Sequence, residues 1–262
     1  MPALAAAAAV TDRLRLGPYV LANDFRHPLL VAREAATLDR ISGGRLDLGI
    51  GAGWRTADYR QLGLAYDRPG IRVDRMIEAV GIIRRHLRGE EVTHEGPHYR
   101  LDRARIGPGP VQQPHPPFMI GGGGPRILRF AAREADIVGF VPQFTARGRP
   151  MIRAVAETGL RERVEVVRRA AGARFAELVL DVFVADAGVV GGAEPIGRSV
   201  TSALRSLGPA VLGGSPYLLY GTTAAMRDAM LRRRENLGIS SYGIPAASLT
   251  SLAPLVESLA GR

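Results

Sequence analysis

Four consecutive glycines, Gly121-Gly122-Gly123-Gly124, stand directly after the apolar run Phe118 to Ile120 and directly before Pro125-Arg126. Glycine lets a backbone approach a ligand closely, and proline suits the first turn of a helix. A helix start of this kind offers N–H groups and the positive end of a dipole to a phosphate. The same residues would also make a tight strand-to-helix turn that holds nothing. Their spacing is not the Rossmann fingerprint, which wants an acidic residue ~20 residues later at the next strand end. A second run, Leu48-Gly49-Ile50-Gly51-Ala52-Gly53-Trp54, sets small residues at a strand end and then the single tryptophan of the chain. It makes room for a flat ring with an aromatic beside it, or else packs Trp54 into the core. The polar cluster Asn23-Asp24-Phe25-Arg26-His27-Pro28 fits ligand contact by Asn23 as well as it fits helix capping by Asn23 or Asp24. Gly221-Thr222-Thr223 opens a further helix and reads as a plain N-cap at Thr222 or Thr223.

Other chemistries are excluded by residue type. The chain has no cysteine and no lysine, so thiolate catalysis, disulfides, lysine Schiff bases and a P-loop are absent. No Gly-x-Ser-x-Gly occurs. Of the five histidines, His94 and His98 flank a Gly96-Pro97 turn, which reads as a solvent-exposed hairpin, and no metal site is expected. All 35 basic residues are therefore arginine, and the formal charge is +10. The arginines are spread through helices beside Asp and Glu, without a basic tail, so no nucleic-acid partner is expected. The positive field favours a polyanionic small molecule. The apolar stretch Met1 to Val10 is shorter than the ~20 residues that cross a bilayer, and no membrane partner is expected. It lacks a basic leader, so the expected location is cytoplasmic.

The elements that must position these residues alternate in type. Helices are expected over Pro2–Thr11, Pro28–Ile41 (with Leu30, Ala35, Leu38 and Ile41 on one face), Ala57–Leu62 and Pro69–Arg88. The stripe Val73, Met76, Ile77, Val80, Ile83, Leu87 makes the last of these the strongest. Further helices are expected to Glu134, over Pro150–Ala171, near Ile196–Leu207, and over Thr223–Leu237 and Leu249–Leu259. Six core strands are expected: Leu14–Leu21, Arg45–Gly51, Phe118–Gly121, Asp136–Val141, Leu178–Ala185 and Ile239–Ile244. Val92 to Leu101 reads as a hairpin, and Pro108 to Pro117 as a Pro-rich connector. Regular βα alternation without a linker implies an α/β fold, a parallel sheet covered by helices, in one domain over 1–262.

Taken together, these segments resemble the luciferase-like monooxygenase superfamily, in particular its branch of oxidoreductases that use the deazaflavin coenzyme F-420 (hereafter F420). The matching stretches are Thr11 to Gly17, Phe25-Arg26-His27-Pro28 with Glu34 to Asp39, Ser42-Gly43-Gly44-Arg45-Leu46, and Leu48 to Trp54. Pro114-His115-Pro116-Pro117, the tetraglycine with Pro125-Arg126, Ser215-Pro216-Tyr217 and Arg233 to Ile239 complete the match. The resemblance implies a (β/α)8 TIM-type barrel. Before the match to Met1 the family has two more strands and a helix, so six core strands are expected here, with the first two absent. By position it puts Tyr19-Val20 under a cofactor ring, often at a non-prolyl cis peptide, with Asn23 near it and Gly51, Ala52, Gly53 and Trp54 bordering the ring. Gly121, Gly122, Gly123 and Gly124 fall toward the cofactor's phosphate. The family's usual general-acid position lies in the absent part, so no catalytic residue is named. The activity implied is hydride transfer between the deazaflavin and a small organic substrate. Some deazaflavin relatives carry Thr and Lys after the next strand, where this chain has Val141-Pro142-Gln143-Phe144. That leaves an FMN-dependent monooxygenase, fed by a flavin reductase, as the alternative. A non-catalytic barrel serving as a binding or partner subunit is the second. A barrel short of two strands has open edges, so a homodimer is expected.

Overall fold

The computed structural model describes residues 1–105, 107–143, 151–189 and 214–259. They fall into two compact units, Met1–Gly121 with Glu134–Asp136, and Gly122–Arg133 with Ile137–Arg262.

The first unit begins with helix α1 (Pro2–Ala9) and the short strand β1 (Leu21–Ala22), and continues through α2 (Pro28–Ile41) and β2 (Leu48–Gly51). Helices α3 (Thr56–Gln61) and α4 (Pro69–Leu87) lead to an antiparallel hairpin, β3 (Val92–Glu95) with β4 (Arg100–Ala104). Strand β5 (Phe118–Gly122) ends the unit's main path. β1, β2 and β5 are parallel neighbours, with Leu21 beside Ile50 and Ala22 beside Gly51, then Ile50 beside Ile120 and Gly51 beside Gly121. All four residues of β2 are buried, as expected of a parallel strand covered on both faces.

The first expected strand is interrupted. Leu16 bridges Leu46 in parallel, Leu14 is exposed, and regular pairing returns only at Leu21. Pro18 has no N–H to give to a ladder, and the Tyr19–Val20 peptide is cis. The backbones also approach closely here: a Cβ on Gly49 would lie 2.1 Å from the Pro18 carbonyl oxygen. Helix α2 has the expected ends, and of its expected face Ala35 and Leu38 turn inward but Leu30 and Ile41 do not. Val31, Ala32, Ala35, Ala36, Leu38 and Asp39 are buried, while Leu30 and Ile41 are about half exposed. The stripe of α4 holds at Met76, Val80, Ile83 and Leu87, and adds Arg72, Ala79, Ile82 and His86.

The second unit opens with α5 (Pro125–Glu134, its last residue in the first unit) and β6 (Ile137–Phe140), followed by α6 (Ile152–Val155) and α7 (Glu157–Ala171). Strands β7 (Val179–Phe183) and β8 (Asp186–Val189) come next, then β9 (Leu218–Gly221), α8 (Thr223–Leu237), β10 (Ile239–Gly243) and α9 (Leu249–Leu259). β6, β7 and β10 are parallel neighbours in that order, so the described residues supply six main parallel strands, three per unit.

The single helix expected over 150–171 is two. The chain is extended at Ala156, and a Cβ on Gly159 would lie 2.0 Å from the Arg153 carbonyl oxygen, so glycine alone lets α7 abut α6. The carbonyls freed by the break are taken up: Arg163 donates to Ala154 O (2.6 Å) and Ser215 Oγ to Val155 O (2.7 Å). The parallel pair β8–β9 was not expected. It packs with α8 and α9 through Val184, Ala187, Leu219, Met226, Leu252 and Leu255. The helix expected near Ile196–Leu207 lies outside the described residues.

Candidate cofactor site

In parallel α/β sheets, ligands meet the carboxyl ends of the strands. In the first unit those ends form one row, Ala22, Gly51 and Gly121, each beside the next. The row is nearly bare of side chains. Strand spacing of ~4.8 Å makes it about 10 Å wide, enough for a fused three-ring system to lie across it. Val20 covers the row. A Cβ on Gly51 would approach Val20 Cγ2 to 2.8 Å, whereas one on Gly121 would meet the Val20 methyls at 3.5 and 3.6 Å, an ordinary contact. Gly49 and Gly51 are thus needed to seat Pro18 and Val20, whereas Gly121 would admit a Cβ. Tyr19, beside Val20, is 46% exposed. The arrangement fits a flat cofactor ring stacked on Val20.

The loop after β2 is held from behind. Gly53 has φ +71°, and a Cβ there would strike the Tyr59 hydroxyl, so both backbone and space demand glycine. Tyr59 donates its single hydroxyl proton to Asp24 Oδ2 (3.0 Å), with Ala52 O 3.3 Å from the same oxygen. Arg72 donates to Ala52 O (3.2 Å) and to Gly53 O, and Tyr66 donates to Trp54 O (2.9 Å). Trp54 itself is 60% exposed, which removes the core-packing alternative.

Asn23 is buried, with Nδ2 donating to Tyr99 Oη (3.0 Å) and Asp24 Oδ1 (3.3 Å). Neither Asn23 nor Asp24 caps α2. His27 does, its ring nitrogen accepting from Leu29 N (3.3 Å). Asp24 instead accepts from Arg75 (2.8 Å), which also binds Asp67 (2.5 Å). Burial, reinforced by Asp24, raises the Tyr59 pKa; burial raises that of Tyr99 too, so both hydroxyls stay protonated. An open cavity of about 370 Å³ lies here, lined by Asp24, Arg26, His27, Leu64, Asp67, Arg75 and Tyr99 among others. Its far wall is the β3–β4 hairpin. Glu78 of α4 fixes that hairpin by accepting from His94 Nε2 (2.9 Å), His98 N (3.1 Å) and Tyr99 N (2.9 Å). His94 and His98 are therefore partly buried, not the fully exposed pair expected.

In the second unit, the glycine turn is partly explained by its own chain. A Cβ on Gly122 would strike Ile127, and one on Gly123 would lie 2.7 Å from Val141 O and 3.2 Å from Pro142 O. Gly124 has room, its nearest atom being Gln143 Nε2 at 3.6 Å. Pro125 starts α5 as expected. Thr222 caps α8 through Ala225 N (3.2 Å), as expected. Tyr217 is fully buried against Arg163, which donates to its hydroxyl, and burial pushes its pKa up to about 12. Ser215-Pro216-Tyr217 thus ties β9 to the α6–α7 break.

Sequence reasoning missed Arg72, Tyr59, Tyr66, Tyr99 and Glu78. The signal for Arg72 was present: an arginine one turn before Met76, in register with the apolar stripe.

A family model described as luciferase-like monooxygenase matches residues 1–182. An F420-dependent glucose-6-phosphate dehydrogenase of Nakamurella multipartita is 39% identical over 142 residues, 54% of this chain and 40% of that one. The match thus spans about two fifths of this relative's length. The monooxygenase RslO1 of Streptomyces bottropensis superposes with TM-score 0.77 at 24% identity, covering 98% of this chain and 80% of that one. A coenzyme F420-dependent tetrahydromethanopterin reductase of Methanopyrus kandleri gives TM-score 0.72 at 19% identity, covering 93% and 80%. At these identities the structural likenesses carry the fold, which is α/β of TIM-barrel type.

Proposed function

We propose that this chain, which belongs to the luciferase-like monooxygenase family, is an oxidoreductase that transfers a hydride between a deazaflavin, coenzyme F420, and a small organic substrate. The observation that carries the proposal is the bare row Ala22–Gly51–Gly121 under Val20 at the carboxyl ends of three parallel strands. The relatives named for F420 favour the deazaflavin. When bound, the cofactor supplies the redox chemistry. The chain's part is to support the ring on Val20 and to border it with Tyr19 and the Gly51–Trp54 loop. Residues 1–262 acting as one domain, in the cytoplasm, belong to the same proposal. No described helix is long and apolar enough to cross a membrane. A second reading, an FMN-dependent monooxygenase fed by a reductase, is favoured by the sequence Val141-Pro142-Gln143-Phe144, which stands where some deazaflavin relatives carry Thr and Lys.

Salt separates the two readings. With 35 arginines and a formal charge of +10, the protein attracts the deazaflavin's phosphate and oligoglutamate tail more than it attracts FMN. That attraction is screened as the Debye length falls from ~10 Å at 0.1 M salt to ~3 Å at 1 M. Fluorescence titrations should show tighter binding of the deazaflavin at low salt, with the preference shrinking as salt rises. Tighter FMN binding at every salt concentration would overturn the assignment in favour of the monooxygenase, and binding of neither would favour a non-catalytic subunit.

A homodimer is proposed as the working form. Among the described residues β1 pairs on one side only, and Leu14, Tyr19 and Leu30 nearby in sequence are exposed. Sedimentation velocity at micromolar concentration should show a dimer or larger species; a stable monomer would refute this.

A further inference from the structure

We infer that Arg72 is a positioning residue of the cofactor site: it clamps the Gly51–Trp54 loop from behind and so sets the edge against which the ring binds. This rests on the proposed reading that a cofactor ring lies on the Ala22–Gly51–Gly121 row. Arg72 is only 5% exposed and spends its donors in four directions. Nε donates to Asp67 O (3.0 Å), Nη2 to the Tyr66 hydroxyl (3.1 Å), and Nη1 to Ala52 O (3.2 Å) and Gly53 O. The guanidinium also lies 4.2 Å from the centre of the Tyr66 ring.

With Tyr66 donating to Trp54 O, three successive carbonyls, those of Ala52, Gly53 and Trp54, are drawn toward one assembly of Arg72, Tyr59 and Tyr66. A trans peptide sets its N–H opposite its C=O, so the N–H groups of Gly53, Trp54 and Arg55 are turned away from the clamp. Only a planar fork with several fixed donors can hold adjacent carbonyls and a hydroxyl together; a lysine offers one point charge. The loop cannot hold this shape by itself, since Gly53 at φ +71° is free to leave it.

Because Trp54 is the single tryptophan, its fluorescence reports on the clamped loop without labelling. Arg72→Lys and Arg72→Met should leave the far-UV spectrum native, increase quenching of Trp54 by acrylamide, lower its anisotropy, and weaken binding of FMN and of the deazaflavin roughly tenfold or more. Lysine should restore less than half of the lost binding energy. Tyr66→Phe, at a partly exposed position, removes only the hydroxyl between Arg72 and Trp54 O. It should give the same changes in smaller measure, and it decides the matter if both Arg72 variants fail to fold. A folded Arg72 variant, or Tyr66→Phe, with unchanged Trp54 quenching refutes the clamp, and a loosened loop with unchanged affinity refutes its role in binding. Wild-type protein that binds neither cofactor refutes the parent reading instead, and the Trp54 measurements still decide the clamp.

Discussion

Gly121→Val should lower affinity for the cofactor at least a hundredfold, about 2.7 kcal/mol, while the protein stays folded. Gly121 sits at the end of β5 beside Gly51, and its φ is not in the left-handed region. An added Cβ would meet nothing closer than the Val20 methyls at 3.5 Å, an ordinary contact, and the thermal melt checks that the fold also takes the two γ-methyls. The rest of the valine would then occupy the row on which the ring is proposed to lie. Titration with FMN and the deazaflavin, next to a thermal melt, makes the comparison. A folded Gly121→Val that binds like the wild type would remove the ring site. The contrast with Gly123→Val is part of the argument. There the Cβ would lie 2.7 Å from Val141 O, so that variant should melt earlier and its lost binding would say nothing about phosphate.

This division among glycines marks the limit of what the sequence could tell. Sequence alone reads the tetraglycine as one unit, a phosphate cradle or a tight turn, but its glycines serve different ends. Gly122 and Gly123 make room for Ile127 and for the Val141–Pro142 backbone, Gly121 keeps a strand end bare, and Gly124 has open space. Contacts made across a fold leave no local trace, whereas periodicity does. Hence the bounds of α2, α8 and α9 were legible from stripe, cap and stop signals, such as Gly238 in the left-handed conformation ending α8. The break at Ala156 was not, because α6 and α7 together keep helical propensity and the interruption is compensated by Arg163 and by the distant Ser215. Leu30 and Ile41 misled for a related reason. The small residues Ala32, Ala35 and Ala36 let α2 pack closely, and a stripe of alanines is weaker in hydrophobicity than the exposed leucine and isoleucine beside it.

Asp39→Ala should cost about 3–5 kcal/mol of stability, which for a chain of this size lowers the melting midpoint by roughly 10 °C. Asp39 is fully buried on α2. Its carboxylate accepts from Val111 N (2.7 Å), Gln112 N (2.9 Å) and Gln112 Nε2 (2.7 Å), and Gln112 Nε2 donates in turn to Leu46 O (2.8 Å). Alanine would leave two backbone N–H groups and one side-chain donor without their acceptor, against a buried cavity at position 39, and each such group carries a desolvation cost where water does not replace the carboxylate. The costs are not additive, because Gln112 keeps Leu46 and the connector can relax. A fair control is Asp47→Ala, which removes a partner of Arg15 where that arginine is half exposed, and which should cost no more than about 1 kcal/mol. The site should be untouched. Asp39 works beside Leu46, at the entry to β2, whereas the proposed ring site is at the opposite, carboxyl end, so cofactor affinity measured below the melt should stay within about threefold of wild type. Urea unfolding gives the stability difference and a fluorescence titration gives the affinity. An Asp39→Ala protein within 1 kcal/mol of wild type would mean that the Val111–Gln112 amides find other acceptors, and that this carboxylate does not hold the connector to α2.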